Sequence, residues 1–89
     1  MEDRILLKVS NKTDSTKLAR AIIKSLEEKK KITLRAIGSI AINQAVKGIV
    51  IANNFAKEQD KNIVFIPYTS KVEFESGIKE AIEFDIEEV

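Results

Sequence analysis

The stretch from Arg35 to Lys47 limits the fold more than any other part of the chain. It opens as an alternating strand, passes through Gly38, and continues as a long apolar helix. That helix keeps three polar side chains, Asn43, Gln44 and Lys47. A strand does not give way to a helix unless something stops it. Gly38 can, because without a Cβ it takes backbone angles that other residues avoid. Ser39 then reads as the helix N-cap, its hydroxyl accepting from an otherwise unpaired N–H. A helix start at the end of a strand attracts anions.

The rest of the chain is read outward from this junction. Ile5 to Ser10 is a short apolar strand bounded by turn residues. Asp14 or Ser15 caps a first helix from about Thr16 to Lys29. Leu18, Ile22 and Leu26, with Ala19 and Ile23, form its apolar stripe, and Lys17, Arg20 and Lys24 its outer face. Lys29 to Lys31 ends it, and cations suit a helix C-terminus. Ile32, Leu34 and Ala36 share one face of the strand that follows. The second helix is expected from Ser39 to Gln59. Ala41, Ala45, Ile49, Ala52 and Ala56 give it a small-residue face that fits against a sheet. Ile40, Ile51 and Phe55 form another stripe, beside Gln44 and Gly48, that one small domain does not cover. The continuous apolar run Ile63–Ile66 reads as a sheet-interior strand, Pro67 marks a bulge or a sheet edge, and the strand resumes from Lys71 to Glu75. Phe65, Phe74 and Phe84 take core-like positions. A hairpin turn at Glu75–Ile78 leads to a last strand, Ile78 to Glu87, whose carboxylates belong on a solvated sheet face. The predicted class is α+β: one domain, 1–89, in two layers with β-α-β-α-β-β order. A four-stranded mixed sheet carries both helices on one face.

The chemistry of the side chains excludes more than it offers. The chain has no His and no Cys, so the usual bases, nucleophiles and zinc ligands are missing. Gly38, Gly48 and Gly77 are too scattered for a phosphate-binding loop. The expectation is a protein that is not an enzyme, with no metal, no cofactor and no small-molecule substrate. No apolar run is long enough to span a membrane, and the opening Met1-Glu2-Asp3-Arg4 does not resemble a signal peptide, so a cytoplasmic location is expected. The net charge of +1 hides an asymmetry. Residues 1–38 hold ten basic and five acidic side chains, and residues 39–89 hold five and nine. A basic half can mark a nucleic-acid face, but on charge alone a solvated surface is the commoner meaning of such a run.

Leu7-Lys8-Val9-Ser10, Ala36-Ile37-Gly38, Asn43-Gln44-Ala45-Val46-Lys47, Ile51-Ala52 and Ile66-Pro67 together resemble the stage V sporulation protein S family. The resemblance runs from Leu7 to Glu87, and the Asn-Gln-Ala-Val-Lys block after Ala-Ile-Gly is its specific part. That family is similar in fold to the Alba chromatin proteins. The resemblance implies a small dimeric nucleic-acid-binding or regulatory protein linked to sporulation or development. The chain departs from the pattern in three places. Ser39 and Ile40 stand where Alba proteins carry a basic residue. The hairpin reads as short and lacks arginine. Asn53-Asn54 replaces a common Arg-Gly.

Two functions fit this reading. The first is a DNA- or RNA-binding regulatory protein that contacts phosphates without base specificity. Its candidate site is Lys12, Lys17, Arg35, Gly38, Ser39, Asn43, Gln44 and Lys47, the loop after the first strand and the start of the second helix. The second is a dimeric protein-interaction module that regulates sporulation or development without nucleic acid. Both expect a homodimer or higher homo-oligomer.

Overall fold

A computed structural model describes residues 3–89. Met1 and Glu2, which carry part of the expected N-terminal opening, lie outside the described residues. The elements are β1 (Arg4–Val9), α1 (Ser15–Glu27), β2 (Lys31–Ala36), α2 (Ser39–Glu58), β3 (Ile63–Phe74) and β4 (Gly77–Glu88). The sheet order is β1-β2-β4-β3. β1 runs parallel to β2, while β4 runs antiparallel to both β2 and β3. This is the expected α+β class with a mixed four-stranded sheet and two helices.

Period-two alternation sorts the strands into a covered and an open face. In register, Leu7, Leu34 and Phe84 lie side by side on the covered face, as do Ile32 and Ile86. Ile32, Leu34, Ala36, Phe84 and Ile86 are buried there with Leu18, Ala19 and Ile22 of α1. Ala41, Ala45, Ile49, Ala52 and Ala56 complete the core from α2, as its small-residue stripe predicts. Gly48 belongs to this buried side and not to the outer stripe. A Cβ built on it would stand 2.7 Å from Leu18 Cδ2, so the glycine lets α1 and α2 approach closely.

α1 begins and ends on local signals. The Asp14 side chain accepts from the backbone N–H groups of Thr16 and Lys17 at 2.8 and 3.1 Å. The helix stops at Glu27, earlier than Lys29, because Lys29 turns into the left-handed region at φ 62°. α2 starts differently from expectation. Gly38 itself is the N-cap, at φ 90° and ψ 155°, with no side-chain capping bond. Its carbonyl accepts the Ile42 N–H at 3.0 Å, and Ser39 is already helical.

The C-terminal hairpin corrects three expectations. β3 is one unbroken strand at the sheet edge, the edge being one of the two options Pro67 offered, so the run Ile63–Ile66 is not interior and the strand does not break at Pro67. An edge strand tolerates proline because one of its rows of backbone groups has no ladder partner. Val64, Phe65, Ile66 and Phe74 are accordingly exposed, and only Phe84 of the expected core phenylalanines is buried. Phe65 meets Phe84 edge-on at 5.6 Å. The hairpin is also long. β3 and β4 pair from Ile63↔Glu88 to Phe74↔Gly77, whereas β2 pairs with β4 only up to Ala36↔Ile82. The hairpin from Ser70 to Ala81 is therefore an arm overhanging the end of β2, in a molecule 44 Å long and 18 Å in its thinnest direction.

Candidate functional site

Because β1 and β2 are parallel and end together at Val9↔Ala36, two strand-to-helix junctions lie side by side at one end of the sheet. The first is a tight turn. Ser10 N–H donates to Thr13 Oγ1 at 2.8 Å, Thr13 N–H to the Ser10 carbonyl at 3.1 Å, and Lys12 N–H to Ser10 Oγ at 3.2 Å. These bonds fix the loop and leave the Lys12 side chain exposed. Lys17 is exposed in the first turn of α1. The carboxylate between them, Asp14, is occupied as a cap. Its bonds from the Lys17 and Thr16 N–H groups hold it below the ordinary aspartate range.

The second junction carries the other candidates. Gly38, Ser39, Asn43 and Lys47 are exposed. Gln44 is half-buried, and its Nε2 donates to the Thr13 carbonyl at 2.7 Å. Gln44 thus fastens α2 to the first loop and acts as a tie between the junctions. The outer face of α2 is divided along its length. Asn43 and Lys47 occupy its first half, and Ile51 and Phe55, 36% and 40% exposed, its second.

Arg35 stands apart from the other basic candidates. It projects from the open sheet face, and its Nε donates to Glu83 Oε2 at 2.7 Å. Glu83 also accepts from Ser70 Oγ at 3.0 Å and from the Tyr68 hydroxyl at 3.2 Å. Burial alone pushes the Glu83 pKa up. The bonds from Arg35, Ser70 and Tyr68 outweigh it and hold the carboxyl below its usual range. Tyr68 also donates to Asp85 at 2.9 Å. Partial burial of its hydroxyl, together with the two carboxylates, pushes its own pKa up to about 12. Thr33 Oγ1 donates to Asp85 at 2.7 Å and accepts from Arg4 at 2.8 Å. The open face is therefore a neutralised network, with Glu83 buried in it, and not a bare carboxylate surface. Among the described residues no buried side-chain polar atom lacks a partner.

Under the overhanging arm lies a cleft of about 570 Å³. Val72 and Phe74 of the arm line it together with Lys8, Arg35 and the residues from Ile37 to Ala41. No carboxylate lines it. Lys8, Val72 and Phe74 are residues that sequence reasoning missed. The signal for them was the length of the alternating runs around Gly77, which outreach the short β2. The arm itself carries Lys71 and Lys79 against Glu73, Glu75 and Glu80, so it is slightly acidic. Among the described residues, no group of three or more His, Cys, Asp or Glu stands close enough to hold a metal, and no helix is long and apolar enough to cross a membrane.

Among solved structures, Alba from Thermoplasma volcanium shares the fold. The TM-score is 0.60, over 92% of this chain and 95% of that one, at 19% identity. At that identity the likeness concerns the fold alone. The sequence pattern of the stage V sporulation protein S family matches residues 5–89. A match over nearly the whole chain, on a fold with the element order that the resemblance implied, places the chain in the stage V sporulation protein S family.

Proposed function

We propose that this sporulation-type regulatory protein binds DNA or RNA through phosphates, without base specificity and without catalysis. One observation carries the reading. The reading is supported by the two strand-to-helix junctions at one end of the sheet, the loop with Lys12 and the α2 start with Ser39, tied by the Gln44–Thr13 bond. Lys17 is exposed in the first turn of α1, and Asn43 and Lys47 are exposed in the first half of α2. The only acidic side chain from Ser10 through Lys17, Asp14, is engaged as a helix cap. Arg35 contributes less charge than the sequence suggests, because Glu83 balances it. Phosphate contacts position a protein without reading sequence.

The test is a salt-series titration with DNA and RNA. Lys12→Gln and Lys47→Gln should each weaken all sequences alike and lower the slope of log affinity against log salt by about one. Lys57→Gln and Lys61→Gln, at the other end of α2 and just beyond it, should leave the slope unchanged. Wild-type protein that fails to bind at low salt refutes the reading.

The exposed Ile51 and Phe55 favour a second component, a homodimer formed across the second half of the outer face of α2. If nucleic-acid binding fails, this surface supports the interaction-module reading instead. Light scattering at tens of micromolar should give at least twice the monomer mass, and Phe55→Glu should return it to a monomer.

A further inference from the structure

We infer that the cleft beneath the hairpin arm receives one unpaired nucleotide of a bound strand, with its base against Phe74. The inference rests on the proposed nucleic-acid reading and names what that surface does besides holding phosphates.

Size, lining and position support it. The cleft volume, about 570 Å³, falls within the roughly 300–1,000 Å³ of sites that enclose small ligands. Its lining is mixed in chemistry. Phe74 and Val72 offer an aromatic and aliphatic surface, and Ile40 adds to the apolar part. Lys8 supplies a cation, while Arg35 is held rigidly in place by Glu83. A nucleotide has the same division, a flat base with an apolar face joined to an anionic phosphate. Asn11 lines the same cleft with an amide suited to a base edge. The Phe74 ring is steadied by Lys79, whose Nζ lies 5.4 Å from its centroid.

Position decides between a paired and an unpaired base. Gly38 and Ser39 belong both to the cleft and to the proposed phosphate surface, so a strand crossing the helix start passes the cleft mouth. A base inside a duplex stays stacked and cannot enter. A bulged, looped or single-stranded base can, and stacking on an aromatic ring is how proteins commonly hold one. Phe74 is 44% exposed in the free protein, so its ring is accessible from the cleft.

The experiment compares three stem-loops of equal length, each made as DNA and as RNA. One stem is fully paired, one carries a single bulged 2-aminopurine, and one carries an abasic bulge. Wild-type protein should bind the base-bearing bulge at least about fivefold more tightly than either other stem, and the probe's fluorescence should change on binding. Phe74→Leu should remove the preference while keeping the affinity and salt slope for the paired stem, and Phe74→Trp should retain it. Thermal melts check that both variants fold. Equal affinity for all three stems overturns the inference and leaves the phosphate reading intact. No binding to any stem at low salt overturns both. A free mononucleotide that shifts the NMR signals of Phe74, without any preference for the bulge, overturns the assignment to a strand.

Discussion

The two helix starts sit side by side at the same end of the sheet, yet they are built in opposite ways. α1 is fixed locally. Asp14 reaches two and three residues ahead, and the Ser10–Thr13 turn closes on itself. α2 has no side-chain cap and no acidic residue in its first turn. It is held from a distance, by β2 within the sheet, by Arg35 bonded to Glu83 forty-eight positions away, and by Gln44 bonded to Thr13. A start that uses its own carboxylate has already neutralised its positive end. A start held by remote contacts leaves that end and its backbone N–H groups open. One helix start is completed by a side chain of its own, and the other keeps its backbone N–H groups without a side-chain cap.

The largest expected effect comes from breaking the remote anchor. Arg35→Gln leaves Glu83, only 7% exposed, without its cation. Losing one partner of a largely buried pair costs several kcal/mol, but Ser70 and Tyr68 still donate to the carboxylate. The expected loss at neutral pH is about 2–3 kcal/mol in denaturant unfolding. The sign with pH follows from the lowered pKa of Glu83. Stability from such a group is fully present above the unfolded value and is lost as pH falls through the folded one. The gap between wild type and variant should therefore be widest at pH 7 and narrow below about pH 4.3. A gap that stays constant down to pH 3 rules out the ion pair as its source.

Gly38→Ala should come next. At φ 90° and ψ 155° the residue occupies a region essentially reserved for glycine, and an added Cβ meets nothing within 4 Å. The penalty is thus backbone strain without a clash, about 1–3 kcal/mol. Amide exchange should rise at the start of α2 and not at the start of α1. Uniform loosening of both starts would show that they are not fixed independently.

These contrasts also explain what was legible in the sequence. Asp14, the α1 stripe, the Gly38 stop and the Ala41–Ala56 face were all readable, because each depends on residues a few positions apart or on one period. The element order followed from them. The roles of Arg35, Gln44 and Gly48 were not readable, because their partners Glu83, Thr13 and Leu18 lie far away in sequence. Arg35 looked like a free cation for that reason, and Gly48 looked like part of the outer stripe. β3 misled for another reason. A continuous apolar run has no period to show which face is covered, so Val64, Phe65 and Ile66 read as interior although the strand lies at the edge. The cleft needed the hairpin register, which no local pattern supplies.

The smallest expected effect on stability is also the sharpest test of the contrast. Ser39→Asp gives α2 what α1 already has, a carboxylate at its start. No side chain caps α2 at present, so the new charge should interact favourably with the helix end and stabilise the fold by about 0.3–1 kcal/mol. Asp14→Asn makes the reverse change. It keeps an oxygen that can cap but removes the charge, so the protein should melt slightly lower. Asp14 has a lowered pKa, so its contribution is present above the unfolded aspartate value and lost as pH falls through the folded one. The Asn variant should therefore lose part of the acid dependence of the melting temperature. Nucleic-acid binding should move the other way. Ser39→Asp should weaken affinity for every sequence while stabilising the protein, because the carboxylate repels the phosphates expected there. Asp14→Asn should leave affinity unchanged or slightly raised. A stabilised Ser39→Asp protein that binds as tightly as wild type would mean that the open helix start faces solvent only, and the phosphate surface would then have to exclude the α2 junction.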